Sequence, residues 1–258
     1  MHKSPRQLAS LARCTIILLT LATFARAAAE TPSGPAEALA ALHYKAVLIA
    51  GDRSSPAFDH ATEAMRERLL AAQTAPGDIQ RLTASRAVLA RPGARLASLD
   101  NALAAIEGMH PSAGQGCLVF ATSHGAYQQG LVLMPSMNVL TPTALAVALA
   151  RGCGDAPSVV IISGCFSGGF TKPPMARTNR VILTAAREDR PSFGCGAGSD
   201  YTVYDRCLLQ AMDRARVWRA AYVMIQTCVS AREKEMRERP SQPQAWFGDA
   251  VPGMPVPR

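Results

Sequence analysis

Continuous apolar runs alternate with amphipathic stretches along most of the chain. Ala46-Val-Leu-Ile-Ala50 is closed by Gly51-Asp52, the pattern of a strand buried on both faces, and Ala61 to Gln73 follows with helical periodicity. Ile79 to Thr83 reads as a weaker strand, Leu96 to Met109 as a helix and Cys117 to Thr122 as a buried strand; Gly130 to Met134 reads as one arm of a small hairpin. Thr141 and Pro142 supply the cap and first-turn proline of a helix reaching Arg151. Ser158 to Ile162 and Val181 to Thr184 are the next two buried strands. Helical character returns from Tyr201 to Arg239, as one element or two, and Pro240 and Pro243 end it. Strands separated by helices predict an α/β fold of three layers, a mainly parallel sheet flanked by helices on both faces.

The 258 residues, 48% of them apolar, suffice for one large core, and no shift of composition divides them. We therefore read a single domain over 44–250, preceded by an Ala/Pro/Gly-rich linker at 28–43 and followed by a Pro-rich tail at 251–258. Residues 1–27 have the parts of a signal peptide: Lys3, Arg6 and Arg13 ahead, an apolar stretch around Ile16 to Leu19, and small residues at Ala25-Arg26-Ala27. The stretch from Cys14 to Ala25 is shorter than the roughly 20 residues of a spanning helix. The expectation is an exported protein, periplasmic or secreted, soluble after cleavage and without stable membrane insertion. Cleavage would remove four of the eight surplus positive charges. The Arg232 to Arg239 run, four basic residues against three acidic ones, reads as a solvated helix face, and no nucleic-acid partner is expected. Six cysteines would remain in a compartment that permits disulfides. Cys117, inside an apolar run, is expected to be a buried strand thiol, which leaves Cys153, Cys195, Cys207 and Cys228 as candidates for bridges of undetermined pairing.

In parallel sheets chemistry gathers beyond the carboxyl ends of the strands. Cys165 stands there in Ser163-Gly-Cys-Phe-Ser-Gly-Gly169, where flanking glycines leave backbone N–H groups accessible to a thiolate or an oxyanion. A buried Cys is often just a small apolar residue. His124, in Ser-His-Gly125 after another buried strand, supplies what a nucleophilic thiol needs, a group to take its proton and return one to the leaving amine. The other histidines lack such a setting. No Cys-x-x-Cys or His-x-x-x-His spacing suggests a metal site. Ser167 fails as a nucleophile elbow because Cys165 occupies the position of its first glycine, so a turn or helix-start role is expected. The glycines of this loop make no phosphate-binding loop either.

Four blocks carry a family likeness: Tyr44-Lys-Ala-Val-Leu-Ile-Ala-Gly51, Ser-His124-Gly125, Ser-Gly-Cys165-Phe-Ser-Gly-Gly169, and Leu183-Thr-Ala-Ala186 running into Ser192-Phe-Gly-Cys195. In that order they resemble the bacterial members of the legumain-type C13 peptidases, over about Tyr44 to Cys207. The resemblance implies a caspase-like fold and a thiol peptidase with a peptide or protein substrate and no cofactor. It further implies Cys165 as nucleophile, His124 as its partner, and the N–H groups of Gly125 and Cys165 as the oxyanion site. Two positions depart from the plant and animal legumains: Ser163 replaces an acidic pocket residue two places before the nucleophile, and Asp52-Arg53 follow the first strand where those proteins carry Asn. Asp52 is a candidate to orient His124, and equally an acidic turn residue. Ser163, Asp189 and Ser192 are candidates for the substrate pocket. A transamidase sharing the acyl-enzyme, and an inactive peptide-binding scaffold, are the alternatives; oligomeric state and cleavage preference are left open.

Overall fold

The computed structural model of the chain describes His2 and residues 42–134, 136–196 and 198–258. Apart from His2, the expected signal peptide at 1–27 lies outside the described residues, as does the linker up to residue 41. The strands are β1 (His43–Ala50), β2 (Ile79–Thr83), β3 (Ala94–Leu96), β4 (Gln115–Thr122), β5 (Gly125–Ala126), β6 (Gly130–Leu133), β7 (Asn138–Leu140), β8 (Ser158–Ser163), β9 (Arg180–Thr184) and β10 (Gln244–Phe247). The helices are α1 (Pro56–Ala71), α2 (Arg86–Leu89), α3 (Leu99–Glu107), α4 (Pro142–Gly152), α5 (Val203–Met212) and α6 (Trp218–Met236).

A seven-stranded sheet runs in the order β10-β9-β8-β4-β1-β2-β3, parallel throughout except for β10 against β9. Its central strands are buried along nearly their whole length, which is why they read as unbroken apolar runs rather than alternating ones. Successive residues still face opposite ways. Leu48, Phe120 and Ile161 pack with α1, α5 and α6 on one face, whereas Ile49, Val119 and Val160 pack with α3, α4 and the small β5-β6-β7 sheet on the other. Three layers result. Helix starts are fixed locally by hydroxyl caps: Ser55 accepts from Ala57 N–H, Ser98 from Asn101, Thr141 from Ala144 and Thr202 from Asp205.

Several expectations need correction. β3 occupies the start of the stretch expected to be helical from Leu96, so α3 begins at Leu99 behind its Ser98 cap. The 201–239 stretch is two helices, because the chain turns between them to bury Trp218, whose backbone N–H donates to Met254 and whose indole donates to Tyr44. β10 has no counterpart among the predicted strands: four residues just beyond Pro243 suffice for an edge strand. Residues 251–258 do not trail away. Val251, Met254 and Val256 are buried in the core, and Tyr44 Oη donates to Pro255 O at 2.6 Å. Cys117 is not a free thiol but is bridged to Cys153, which the end of α4 brings beside the start of β4, and Cys207 is bridged to Cys228 across α5 and α6. Cys195, expected as a bridge partner, is free, as is Cys165.

Candidate active site

After β1 the chain builds β2 and β3 outward on one side, then returns to place β4 on the other side of β1. Strand order reverses there, the position at which an open parallel sheet splays its loops apart and leaves room for a ligand. The loops leaving β1, β4 and β8 carry Asp52 and Ser54, His124, and Cys165 respectively. Thr122 pairs with Ser163 in the β4/β8 ladder, and Ser123 N–H donates to Ser163 O at 3.0 Å. His124 and Cys165 therefore each lie two residues beyond a paired position on adjacent strands.

Gly125 seats one loop on the other. A Cβ there would run into the carbonyl of Cys165, so only glycine permits this approach, and a Cβ on Gly164 would likewise meet Ser123 O at 2.9 Å. In the hairpin that follows, Val132 N–H donates to His124 O at 2.8 Å, while Gly125 opposes Leu131. In an antiparallel pair, hydrogen-bonded and non-bonded positions alternate, so Gly125 N–H lies outside the ladder and faces away from β6. Among the described residues nothing accepts from the Cys165 N–H, whereas Phe166 N–H is committed to Arg190 O at 2.8 Å. Two free donors thus remain at the junction of the loops.

The Cys165 thiol is half-buried and held by Ser192, whose N–H donates to Sγ at 3.3 Å and whose hydroxyl lies 3.7 Å away. His124 packs edge-on against Phe58 with ring centroids 5.4 Å apart. Its Nε2 is 3.2 Å from Ser54 Oγ, and its Nδ1 is 4.0 Å from Cys195 Sγ. No hydrogen bond joins His124 to Cys165 among the described residues; such contacts commonly close only around substrate. Burial, then the neighbouring Cys165 and Asp52, push the Cys195 thiol above its ordinary pKa, so it stays protonated. Ser167, in the same loop, donates to Gly164 O at 2.8 Å and accepts from Ala186 N–H at 3.2 Å, a tie between the loop and the end of β9.

The remaining candidates separate. Asp52 does not touch His124: its Oδ1 accepts from Ser54 N–H at 2.5 Å, and the Ser54 side chain makes the contact to the ring. Ser163 is 1% exposed at the end of β8 and does not line a substrate pocket. Thr122 Oγ1 donates to the buried Asp205 carboxylate at 2.8 Å. Burial raises the Asp205 pKa to about 6 despite the nearby hydroxyls of Ser163, Thr122 and Thr202. Asp189 is exposed and gripped by Arg187 at 2.5 and 2.7 Å, which lowers its pKa to about 2. Among the described residues no three His, Cys, Asp or Glu side chains are grouped to hold a metal ion, and no helix is long and apolar enough to cross a membrane.

Sequence reasoning passes over Ser54, Cys195 as a neighbour of His124, and Asp205. The first is within reach, since Ser54 belongs to a loop already marked by its place after a buried strand. Thr202-x-x-Asp205 reads as a helix-start motif, and Asp205 N–H does donate to Thr202 at 2.9 Å, but nothing in that motif says the carboxylate turns inward.

A three-layer α/β sheet with a thiol and an imidazole on adjacent strand ends defines a caspase-like architecture. Caspase-1 from Spodoptera frugiperda has a similar fold, at 12% sequence identity and a TM-score of 0.52, over 80% of this chain and 84% of that one. The peptidase C13 family model matches residues 112–249, a span that includes β4, β8 and both their loops. No curated protein matches the chain. The chain belongs to the peptidase C13 family and is a cysteine-type peptidase.

Proposed function

We propose that the protein is an exported cysteine endopeptidase, periplasmic or secreted, in which Cys165 is the nucleophile and His124 its proton carrier. His124 takes the thiol proton as Sγ attacks the scissile carbonyl, and the resulting oxyanion lies between the N–H groups of Gly125 and Cys165. Collapse breaks the C–N bond, the departing amine takes the proton from His124, and a thioester remains on Cys165. Water, deprotonated by His124, then cleaves the thioester and restores the thiol. The observation that carries this reading is the seating of Gly125 on the Cys165 backbone, which puts thiol, imidazole loop and two uncommitted donors at one point. Export is supported by the pattern of residues 1–27 and by the two disulfides.

Cys165→Ala in the purified full chain should lower peptide hydrolysis by about 10⁴-fold or more, and His124→Ala by about 10²- to 10⁴-fold. Both variants should keep the unfolding midpoint of the parent. Turnover retained in folded Cys165→Ala would contradict the mechanism.

A further inference from the structure

A cavity of about 320 Å³ adjoins the loop that follows Cys165, with walls that include Tyr127, Pro142, Phe166, Phe170, Glu188 and Asp189. Phe166, the residue next to Cys165, sits at φ 58° and ψ 16°. That left-handed conformation is unfavourable for a bulky side chain and free for glycine, and the loop has glycines at 164, 168 and 169. A phenylalanine held there is informative, because strained residues persist where the surroundings require them. Its ring stands edge-on to that of Tyr127 with centroids 5.2 Å apart, although Tyr127 is 53% exposed and packs into no core cluster. The pair forms an aromatic wall of the cavity, and the buried Phe170 adds to its lining.

The charges at the rim are already engaged. Glu188 pairs with Lys172 at 2.5 Å and Asp189 with Arg187 at 2.5 Å. A cationic side chain would have to compete with these partners, and an anionic one would meet two carboxylates. An uncharged, flat or bulky apolar group meets neither obstacle and gains contact with two rings.

We propose that this cavity is a specificity subsite for a large uncharged apolar side chain of the substrate, aromatic above all, borne by a residue close to the scissile bond, and that Tyr127 and Phe166 read it. This deepens, and rests on, the cysteine-peptidase reading above.

The test is cleavage of a mixed peptide library by the full chain and by Tyr127→Ala and Tyr127→Phe, with alkylation of Cys165 by iodoacetamide followed in parallel. The parent should enrich Phe, Tyr, Leu or Met at one fixed position near the cut. The ratio of kcat/KM for a phenylalanine peptide over its alanine counterpart should fall about tenfold in Tyr127→Ala, chiefly through KM, and recover in Tyr127→Phe. Cleavage with no such enrichment, a preference for Lys or Arg there, or an unchanged ratio in Tyr127→Ala would overturn the subsite while leaving the peptidase reading intact. Absence of both cleavage and Cys165 alkylation would overturn the two together. Because Tyr127 lies on an exposed turn, its replacement leaves the core untouched, and Phe166→Leu, which keeps an apolar side chain but removes the ring, should reduce the same ratio.

Discussion

An imidazole that takes a proton on one side of its ring needs a partner on the other to fix its plane and tautomer. At His124 the partner is the Ser54 hydroxyl at 3.2 Å from Nε2, itself anchored because Ser54 N–H donates to Asp52 at 2.5 Å. The acidic residue after β1 thus acts at one remove, as a turn former that presents the serine. Ser54→Ala should lower kcat about fivefold, the equivalent of one ordinary hydrogen bond of about 1 kcal/mol, with KM unchanged. Steady-state kinetics on one peptide checks this, and an unaltered kcat would remove Ser54 from the account. Cys195 lies near His124 too, but burial pushes its thiol pKa up. Sequence alone marks the loop containing Asp52; which of its polar side chains reaches the ring depends on the turn geometry.

At the scale of elements, α5 braces the strands that carry the site. Asp205, in its first turn, is fully buried, accepts from Thr122 at the end of β4 two residues before His124, and lies close to the Ser163 hydroxyl at the end of β8 two residues before Cys165. Its pKa is raised from an ordinary 3.8 to about 6, so the folded state favours the protonated carboxyl. That contribution to stability is present in full below about pH 3.8 and is lost as pH rises through 6. Relative to Asp205→Asn, which cannot ionise, the parent should lose about 3 kcal/mol of stability between about pH 3.5 and 7. Denaturant unfolding of both proteins across that range measures the difference, and a gap independent of pH would contradict the burial argument. Ser163, expected in the substrate pocket, is buried beside the same carboxylate.

Across the whole domain, the central strands are legible because burial on both faces leaves no alternation to misread: β1, β4, β8 and β9 lie within a residue or a few of the apolar runs that announce them. The caspase-like fold and the C13 family follow from motifs at their ends. Less legible are pieces whose structure depends on distant partners. β10 exists by pairing with β9, residues 251–256 are ordered by the core that Tyr44 and Trp218 share, and the bridge of Cys117 to Cys153 depends on where α4 ends in space. The central claim is that, of the two free thiols near His124, Cys165 is the one that forms the acyl bond. Reaction of the full chain with a peptide carrying a thiol-directed electrophile, followed by mapping of the adduct by mass spectrometry, tests this most directly. The account expects one adduct, on Cys165, formed much more slowly in His124→Ala; an adduct on Cys195 instead, or labelling of Cys165 at the same rate without the histidine, would contradict it.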